Sequence, residues 1–313
     1  MKTVFCIGEV LIDFVAENQG NDLSMANVFT KKAGGAPANV ACAIAKLDGK
    51  SSFIGCVGED QFGDFLIQVL KDYRVDLSLT QRSKTFTTLA FVSISDNGER
   101  DFVFSRGADK KLTYDKVIKQ QFKNNIVHFG AATALLGGSL EEAYTHYLFD
   151  ALTKNSFISF DPNFRGDLWK TKTDVFIKKC MPFIQKSHLC KFSLEEAQLL
   201  SGESKLEDAC TSFHEMGVPL VVVTLGGDGT YVSAENLKKT IGSVKVEPVD
   251  TTGAGDAFIG CLLRLISSLA DPKSIISETD VLENMIKTAN KAGAITTTNF
   301  GAIPSLPSAE QLF

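Results

Sequence analysis

The chain has 313 residues, 44% hydrophobic and 22% charged, with a formal charge of −5 from 32 Lys+Arg against 37 Asp+Glu. This composition excludes disorder, collagen and coiled coil, and the acidic balance argues against a general nucleic-acid binder. At about 150 residues per domain the length fits two domains, or one large α/β domain with an insertion, and it can bury a core without disulfides or structural metal.

In chain order, Val4–Ile7 reads as a strand, Ala36–Leu47 as a helix, Phe53–Val57 as a strand and Phe62–Leu70 as a helix. Thr85–Ile94 and Glu99–Arg106 alternate in character around Ser95-Asp96-Asn97-Gly98, a β-hairpin signature. Ile126–Phe129, Phe157–Phe160, His188–Lys191 and Leu220–Leu225 are further short apolar runs, most of them separated by helical segments. Fully apolar strands alternating with helices predict a parallel sheet covered on both faces. A hairpin does not easily join such a sheet. It is expected as a small flap over one edge, paired with the Glu9–Thr30 region, closing over a site or serving as a dimerisation element.

The seven cysteines (Cys6, Cys42, Cys56, Cys180, Cys190, Cys210, Cys261) form no CxxC pair and sit mostly in apolar contexts. They read as buried reduced thiols of a cytoplasmic protein. Glu9 and Asp13 interrupt the first apolar run before a signal-peptide core can form, and no run is long enough to span a membrane. His128, His146, His188 and His214 form no ligand-spaced cluster, so no metal is assigned to them. Neither nucleic acid nor membrane is expected as a partner.

The chemistry concentrates in Val249-Asp250-Thr251-Thr252-Gly253-Ala254-Gly255-Asp256-Ala257-Phe258, followed by an apolar helical stretch. Small residues opening a helix leave backbone N–H groups free, and the helix dipole adds partial positive charge, so an anion fits there. A carboxylate inside such a cradle would repel a passively bound phosphate. Asp256 makes sense as a base taking a proton from an attacking hydroxyl while the amides hold the developing charge; otherwise it is a first-turn Asp stabilising the dipole. Neither GxGxxG nor GxxxxGK[ST] is present, which disfavours nicotinamide and Walker-type readings.

The string Asp250-Thr251-Thr252-Gly253-Ala254-Gly255-Asp256-Ala257-Phe258 closely resembles the second signature of the ribokinase-like (PfkB) family of carbohydrate kinases. Ala33-Gly34-Gly35-Ala36-Pro37-Ala38-Asn39-Val40-Ala41 resembles the first. Gly8-Glu9 to Asp13, Val57 to Gly63, Asp161-Pro162-Asn163-Phe164-Arg165, Thr224 to Gly229 and Gly301-Ala302-Ile303-Pro304 agree in order, so the likeness covers nearly the whole chain. It implies a single domain over 1–313: a three-layer α/β/α sandwich around a mainly parallel sheet, with lid strands inserted at about 13–32 and 85–107. Thr87 to Val92, Asn97 to Arg100, Arg106 to Asp109 and Asp161 to Trp169 are most similar to fructokinases of the family. The implied reaction is ATP-dependent phosphorylation of a free sugar, fructose first and 2-keto-3-deoxygluconate as the alternative. Arg106 and Arg165 suit an acid sugar as well as hydroxyls or a phosphate in flight. Lys31 and Lys32 keep a sugar-phosphate substrate open, and a non-catalytic sensor is the rival from another class.

The resemblance also implies residue roles. Asp256 is the base, Gly253, Ala254 and Gly255 the anion cradle, and Arg165 bridges sugar and phosphate. Asp13, Gly34, Gly35 and Asn39 form the polar sugar wall, Phe91 and Phe104 pack on the sugar or in the flap's own core, and Arg106 closes from above. Thr224, Leu225, Gly226, Gly227 and Gly229 line the nucleotide groove with Asn290, and Ser193 stands where the family's NxxE motif has its asparagine. Glu196 takes that motif's glutamate place, associated with Mg²⁺, which phosphoryl transfer requires to neutralise charge. Asp250, Thr252, Thr296, Asn299, Gly301 and Ser305 resemble a monovalent-cation site for K⁺. The flap could pair across a homodimer.

Overall fold

Alternate residues of the first apolar run enter two different cores, Val4 and Cys6 one and Phe5 and Ile7 the other. A strand buried on both faces can only lie inside a covered sheet. The computed structural model describes every residue except 18, 19, 21, 22 and 95–99, so the turn expected at Ser95-Asp96-Asn97-Gly98 lies outside the described residues. The strands are β1 (Thr3–Ile7), β2 (Leu11–Ala16), β3 (Phe29–Gly34), β4 (Lys50–Ile54), β5 (Cys56–Gly58), β6 (Gln81–Ser83) and β7 (Leu89–Ile94). There follow β8 (Arg100–Ser105), β9 (Ile126–Gly130), β10 (Phe157–Asp161), β11 (Leu189–Ser193), β12 (Leu220–Thr224), β13 (Thr230–Ala234) and β14 (Leu237–Ile241).

The main sheet has eight strands in the order β14-β13-β12-β11-β10-β9-β1-β4, parallel from β4 to β12, with β13 antiparallel to both β12 and β14 at that edge. Helices Ala36–Lys46, Ala254–Ile266 and Thr279–Thr296 cover one face, and Ser139–Thr153, Thr173–Lys186, Leu194–Ser201 and Leu206–Glu215 the other. The expected strand Phe53–Val57 is divided: β4 ends at Ile54, and β5 leaves the main sheet to pair with β6. All seven cysteines are buried and unpaired.

A separate four-stranded sheet, β3-β2-β7-β8, joins the expected flap hairpin to β2 by parallel pairing of Ile12–Val15 with Leu89–Val92. Two helices on one face of the main sheet pack closely on each other. A Cβ on Gly260 would lie 2.6 Å from the Ala43 Cβ, so only glycine lets helix Ala254–Ile266 lie so close to helix Ala36–Lys46. That contact brings the heads of the two helices together, each preceded by one of the two glycine-rich motifs.

Candidate active site

Helix Ala254–Ile266 opens after Gly253, whose φ of 79° lies in the left-handed region and whose missing side chain leaves room for Ala302. The preceding turn is tied down by Asp250, whose Oδ1 accepts from the Thr252 N–H (2.9 Å) and hydroxyl (2.5 Å) and whose Oδ2 accepts from the Gly301 N–H (2.8 Å). Ala254, Gly255 and Asp256 therefore form a fixed first turn; the Ala254 N–H donates to the Thr251 carbonyl at 3.4 Å, and the next amides face outward to an anion. Asp256 is buried, and its Oδ2 accepts from Asn39 Nδ2 at 2.8 Å. Burial pushes its pKa up to about 6; the Asn39 hydrogen bond, Lys191 and Arg165 oppose the rise and Asp161 adds to it. A carboxylate in this range accepts a proton at neutral pH without being wholly protonated beforehand.

The sequence reading missed the ion pair beneath this turn. Lys191 Nζ lies 3.0 Å from Asp161 Oδ2, with the two side chains only 8% and 0% exposed. A Cβ on Gly255 would sit 3.1 Å from the same Nζ, so the ammonium abuts the anion cradle. Asp161, Glu196 and Asp256 overcome the penalty of burial and hold Lys191 in its charged form. The available signal was a lysine inside the otherwise apolar run Leu189-Cys190-Lys191-Phe192.

Ser193 and Glu196 cap the start of helix Leu194–Ser201. The Ser193 hydroxyl accepts from the Glu196 N–H as a helix N-cap (3.2 Å), and Glu196 Oε2 accepts from the Ser193 N–H (2.8 Å). Glu196 Oε1 accepts from the Phe164 N–H at 2.7 Å. Both carboxylate oxygens are thus engaged with backbone, and the pair fastens the loop carrying Arg165 to helix Leu194–Ser201. Arg165 donates to the Phe164 carbonyl at 3.0 Å and lies in the electrostatic field of both Asp256 and Glu9.

On the small sheet, Asp13 is in register with Lys32 and Ala90, and Ala90 with Phe104, which puts Asp13, Lys32 and Phe104 on one face. Phe91 is in register with Phe14 and Val103, so its ring points to the opposite face. It stacks on Phe14 at 5.4 Å and meets Phe29 edge-on at 5.8 Å. Phe91 therefore cannot share the Asp13 face with Phe104, because their places in the pleat are opposite. Lys31 likewise faces outward, over the Phe65 ring at 3.8 Å, while Lys32 faces inward, 5.6 Å from the Phe300 ring. Side chains at Gly34 and Gly35 would collide with the Asp13 carboxylate and the Glu9 carbonyl respectively. Arg106 is held by Asp109 Oδ2, at 3.0 Å from Nε and 2.9 Å from Nη2.

Two cavities flank the 250–255 turn. One, of about 470 Å³, lies between the small sheet and the Gly301 loop, lined by Asp13, Lys32, Phe102, Thr252 and Phe300. The other, of about 520 Å³, is lined by Thr224, Gly226, Gly227, Gly229, Thr251, Gly255 and the 243–248 segment, which no motif had marked. Asn290 is in its wall, but its amide is fully engaged: Oδ1 accepts from the Thr230 hydroxyl (2.6 Å) and Nδ2 donates to the Ile241 carbonyl (2.8 Å). Leu225, expected in the same groove, does not line this cavity: its N–H donates to the Gly229 carbonyl at 2.8 Å and its side chain packs on the core. Of the six residues expected to hold K⁺, Asp250, Thr252 and Gly301 are joined by hydrogen bonds, and the Ser305 hydroxyl is buried without a partner. The Thr296 hydroxyl donates to the Ala292 carbonyl within its own helix, and Asn299 is exposed.

Residues 1–309 match the pfkB family of carbohydrate kinases. Fructokinase-1 of Oryza sativa subsp. japonica is 38% identical over 311 residues, covering 98% of this chain and 95% of the relative. The crystal structure of a fructokinase from Xylella fastidiosa with bound ATP superposes with a TM-score of 0.86 at 26% identity, over 99% of this chain and 96% of that one. A double-mutant fructokinase from Vibrio cholerae O395, solved with fructose, ADP and a potassium ion bound, gives a TM-score of 0.85 at 30% identity, over 100% and 97%. The chain belongs to the pfkB family of carbohydrate kinases. Among these kinases the similar proteins named here are fructokinases.

Proposed function

We propose that the protein is an ATP-dependent fructokinase, transferring the γ-phosphoryl group to a primary hydroxyl of free fructose. The observation that carries this reading is Asp256, buried and hydrogen-bonded to Asn39 in the first turn of a helix whose approach, Asp250 to Gly255, lines a cavity on either side. The sugar occupies the cavity facing Asp13 and the nucleotide the one facing Thr224 to Gly229. The hydroxyl proton passes to an Asp256 carboxylate oxygen, and the hydroxyl oxygen bonds to the γ-phosphorus. The bond from that phosphorus to the bridging oxygen breaks, leaving ADP. The amides of Gly253 to Asp256 and the Lys191 ammonium hold the charge on the transferred group, and Arg165 spans sugar and phosphoryl.

Magnesium fits the site. Asp161 Oδ1 is buried without a hydrogen-bond partner, while Glu196 has both oxygens engaged, and no group of three His, Cys, Asp or Glu side chains suited to a metal occurs among the described residues. The ion would be held mainly by ATP phosphates with Asp161 beside it, and it would neutralise charge on the triphosphate. Asp250, Thr252, Gly301 and Ser305 support a K⁺ site under the cradle. The small sheet acts as the lid. Its outer face, with Phe14 and Phe91 beside exposed Val103, supports a homodimer, and the buried free cysteines support a place in the cytoplasm.

A second reading, 2-keto-3-deoxygluconate as acceptor, is favoured by Lys32, whose charge faces the sugar cavity. Turnover of ATP with fructose, 2-keto-3-deoxygluconate and fructose 6-phosphate at matched concentrations separates the readings. A kcat/KM preference for fructose supports the first, preference for the acid sugar supports the second, and absence of turnover with all sugars overturns the kinase reading.

A further inference from the structure

Behind the sugar side of the site, four buried side chains from separate segments form one network. Glu9 follows β1, Thr88 precedes β7, Asp109 lies in the turn Ala108–Lys111, and Thr133 follows β9. Asp109 accepts on both oxygens: the Thr88 hydroxyl donates to Oδ1, Arg106 Nε (3.0 Å) and the Thr133 hydroxyl (2.8 Å) donate to Oδ2, and Arg106 Nη2 is ion-paired with Oδ2 at 2.9 Å. Thr88 accepts in turn from the Gly107 N–H at 2.9 Å, which locks the end of β8 to the start of β7.

Glu9 is the opposite case. It is wholly buried, with its own and the Thr133 backbone N–H as its donors; its Oε1 has no hydrogen-bond partner, and its Oε2 lies 3.4 Å from the Thr133 oxygen. Thr133 has one proton, and the shorter contact gives it to Asp109. What remains on the Thr133 oxygen toward Glu9 is a lone pair, which a protonated carboxyl can satisfy and a carboxylate cannot. We propose that Glu9 is a positioning residue that works as a neutral acid, the end of a proton-ordered chain from Glu9 through Thr133 to Asp109 that holds Arg106 over the sugar. The proposal rests on the kinase reading for its link to sugar binding, but the protonation of Glu9 does not.

Burial pushes the Glu9 pKa up to about 7; its own and the Thr133 backbone N–H groups lower it, Asp109 raises it and Arg165 lowers it. The charged or titratable groups facing Glu9 are Asp109, Arg165 and Tyr144 of helix Ser139–Thr153, with Arg106 and Cys56 facing Asp109 one step further out. Once ionised, Glu9 competes with Asp109 for the Thr133 proton and draws Arg165 toward itself. Both changes loosen the arginines on the sugar.

The test is the sugar KM from pH 6 to pH 9 in the wild type, Glu9→Gln and Thr133→Val. The wild-type KM is expected to rise about tenfold through pH 7. In Glu9→Gln, which cannot ionise, KM stays flat across the range, and in Thr133→Val it is raised at every pH. A flat wild-type profile, or a Glu9→Gln profile with the wild-type slope, overturns the proposal. A second readout needs neither turnover nor a folded Glu9 variant. In Asp256→Asn, infrared difference spectra should show a protonated-carboxyl stretch at pH 6 that is gone by pH 8.5, and absence of that band at pH 6 also overturns it. Loss of the kinase reading would show as no turnover of any sugar, with the infrared result unaffected.

Discussion

Asn39 Nδ2 donates to Asp256 Oδ2 at 2.8 Å, joining residues 217 apart in sequence at the heads of two packed helices. The bond leaves the other Asp256 oxygen for a proton and lowers the pKa that burial raises. Asn39→Ala should therefore raise the acid limb of kcat/KM by about one pH unit, cutting activity at pH 6 more than at pH 8. Equal loss at both pH values would mean that Asn39 serves the sugar alone.

The approach of those helices depends on Gly260. An added methyl group would lie 2.6 Å from the Ala43 Cβ and 3.2 Å from the Val40 carbonyl, neither of which can move without shifting a helix. Gly260→Ala should destabilise the fold by about 1–3 kcal/mol as an overpacking change. It should also lower kcat, because Asn39 and Asp256 separate. Denaturant unfolding together with steady-state kinetics checks both, and a variant with wild-type kcat would show that the inter-helix bond tolerates a change in spacing.

Asp256 also makes stability depend on pH. Its folded pKa of about 6 lies above the ordinary 3.8, so between those values the folded state binds more protons than the unfolded one. The associated stability is fully present below pH 3.8 and is lost as pH rises through 6. At pH 8 the buried charge costs on the order of 3 kcal/mol. Asp256→Asn removes that cost, so its stability relative to wild type should grow by about this amount from pH 4 to pH 8 while its kcat falls roughly 10²- to 10⁴-fold. Urea unfolding at the two pH values measures it, and a constant stability difference would show that Asp256 is not perturbed.

Much of this site was legible in the sequence because its motifs are local. The cradle is a run of small residues at one helix start, and the parallel sheet follows from apolar strands buried on both faces. What was not legible depends on register and on distant partners. Phe91 and Phe104 both sit on flap strands, and only the pairing of Phe91 with Val103 reveals that they face opposite ways. The tie from Glu196 to the Phe164 N–H joins residues 32 apart, and no motif shows it. The network of Glu9, Thr88, Asp109 and Thr133 draws on four separated segments, and no spacing rule joins them.

The buried pair Lys191–Asp161 separates the stability of the site from its chemistry. Removing one partner leaves the other charge buried and alone, so Lys191→Met should cost about 3–5 kcal/mol, whereas replacing both often costs little. Lys191→Met with Asp161→Asn should therefore recover most of the lost stability. It should not recover activity, because the cradle no longer has an ammonium next to Gly255 and the nucleotide has lost Asp161. A double-mutant cycle run in parallel on unfolding free energy and on kcat/KM for ATP tests this. Coupling is expected in stability, with activity low in all three variants. A double variant that regains activity would make the pair a structural tie with no part in phosphoryl transfer.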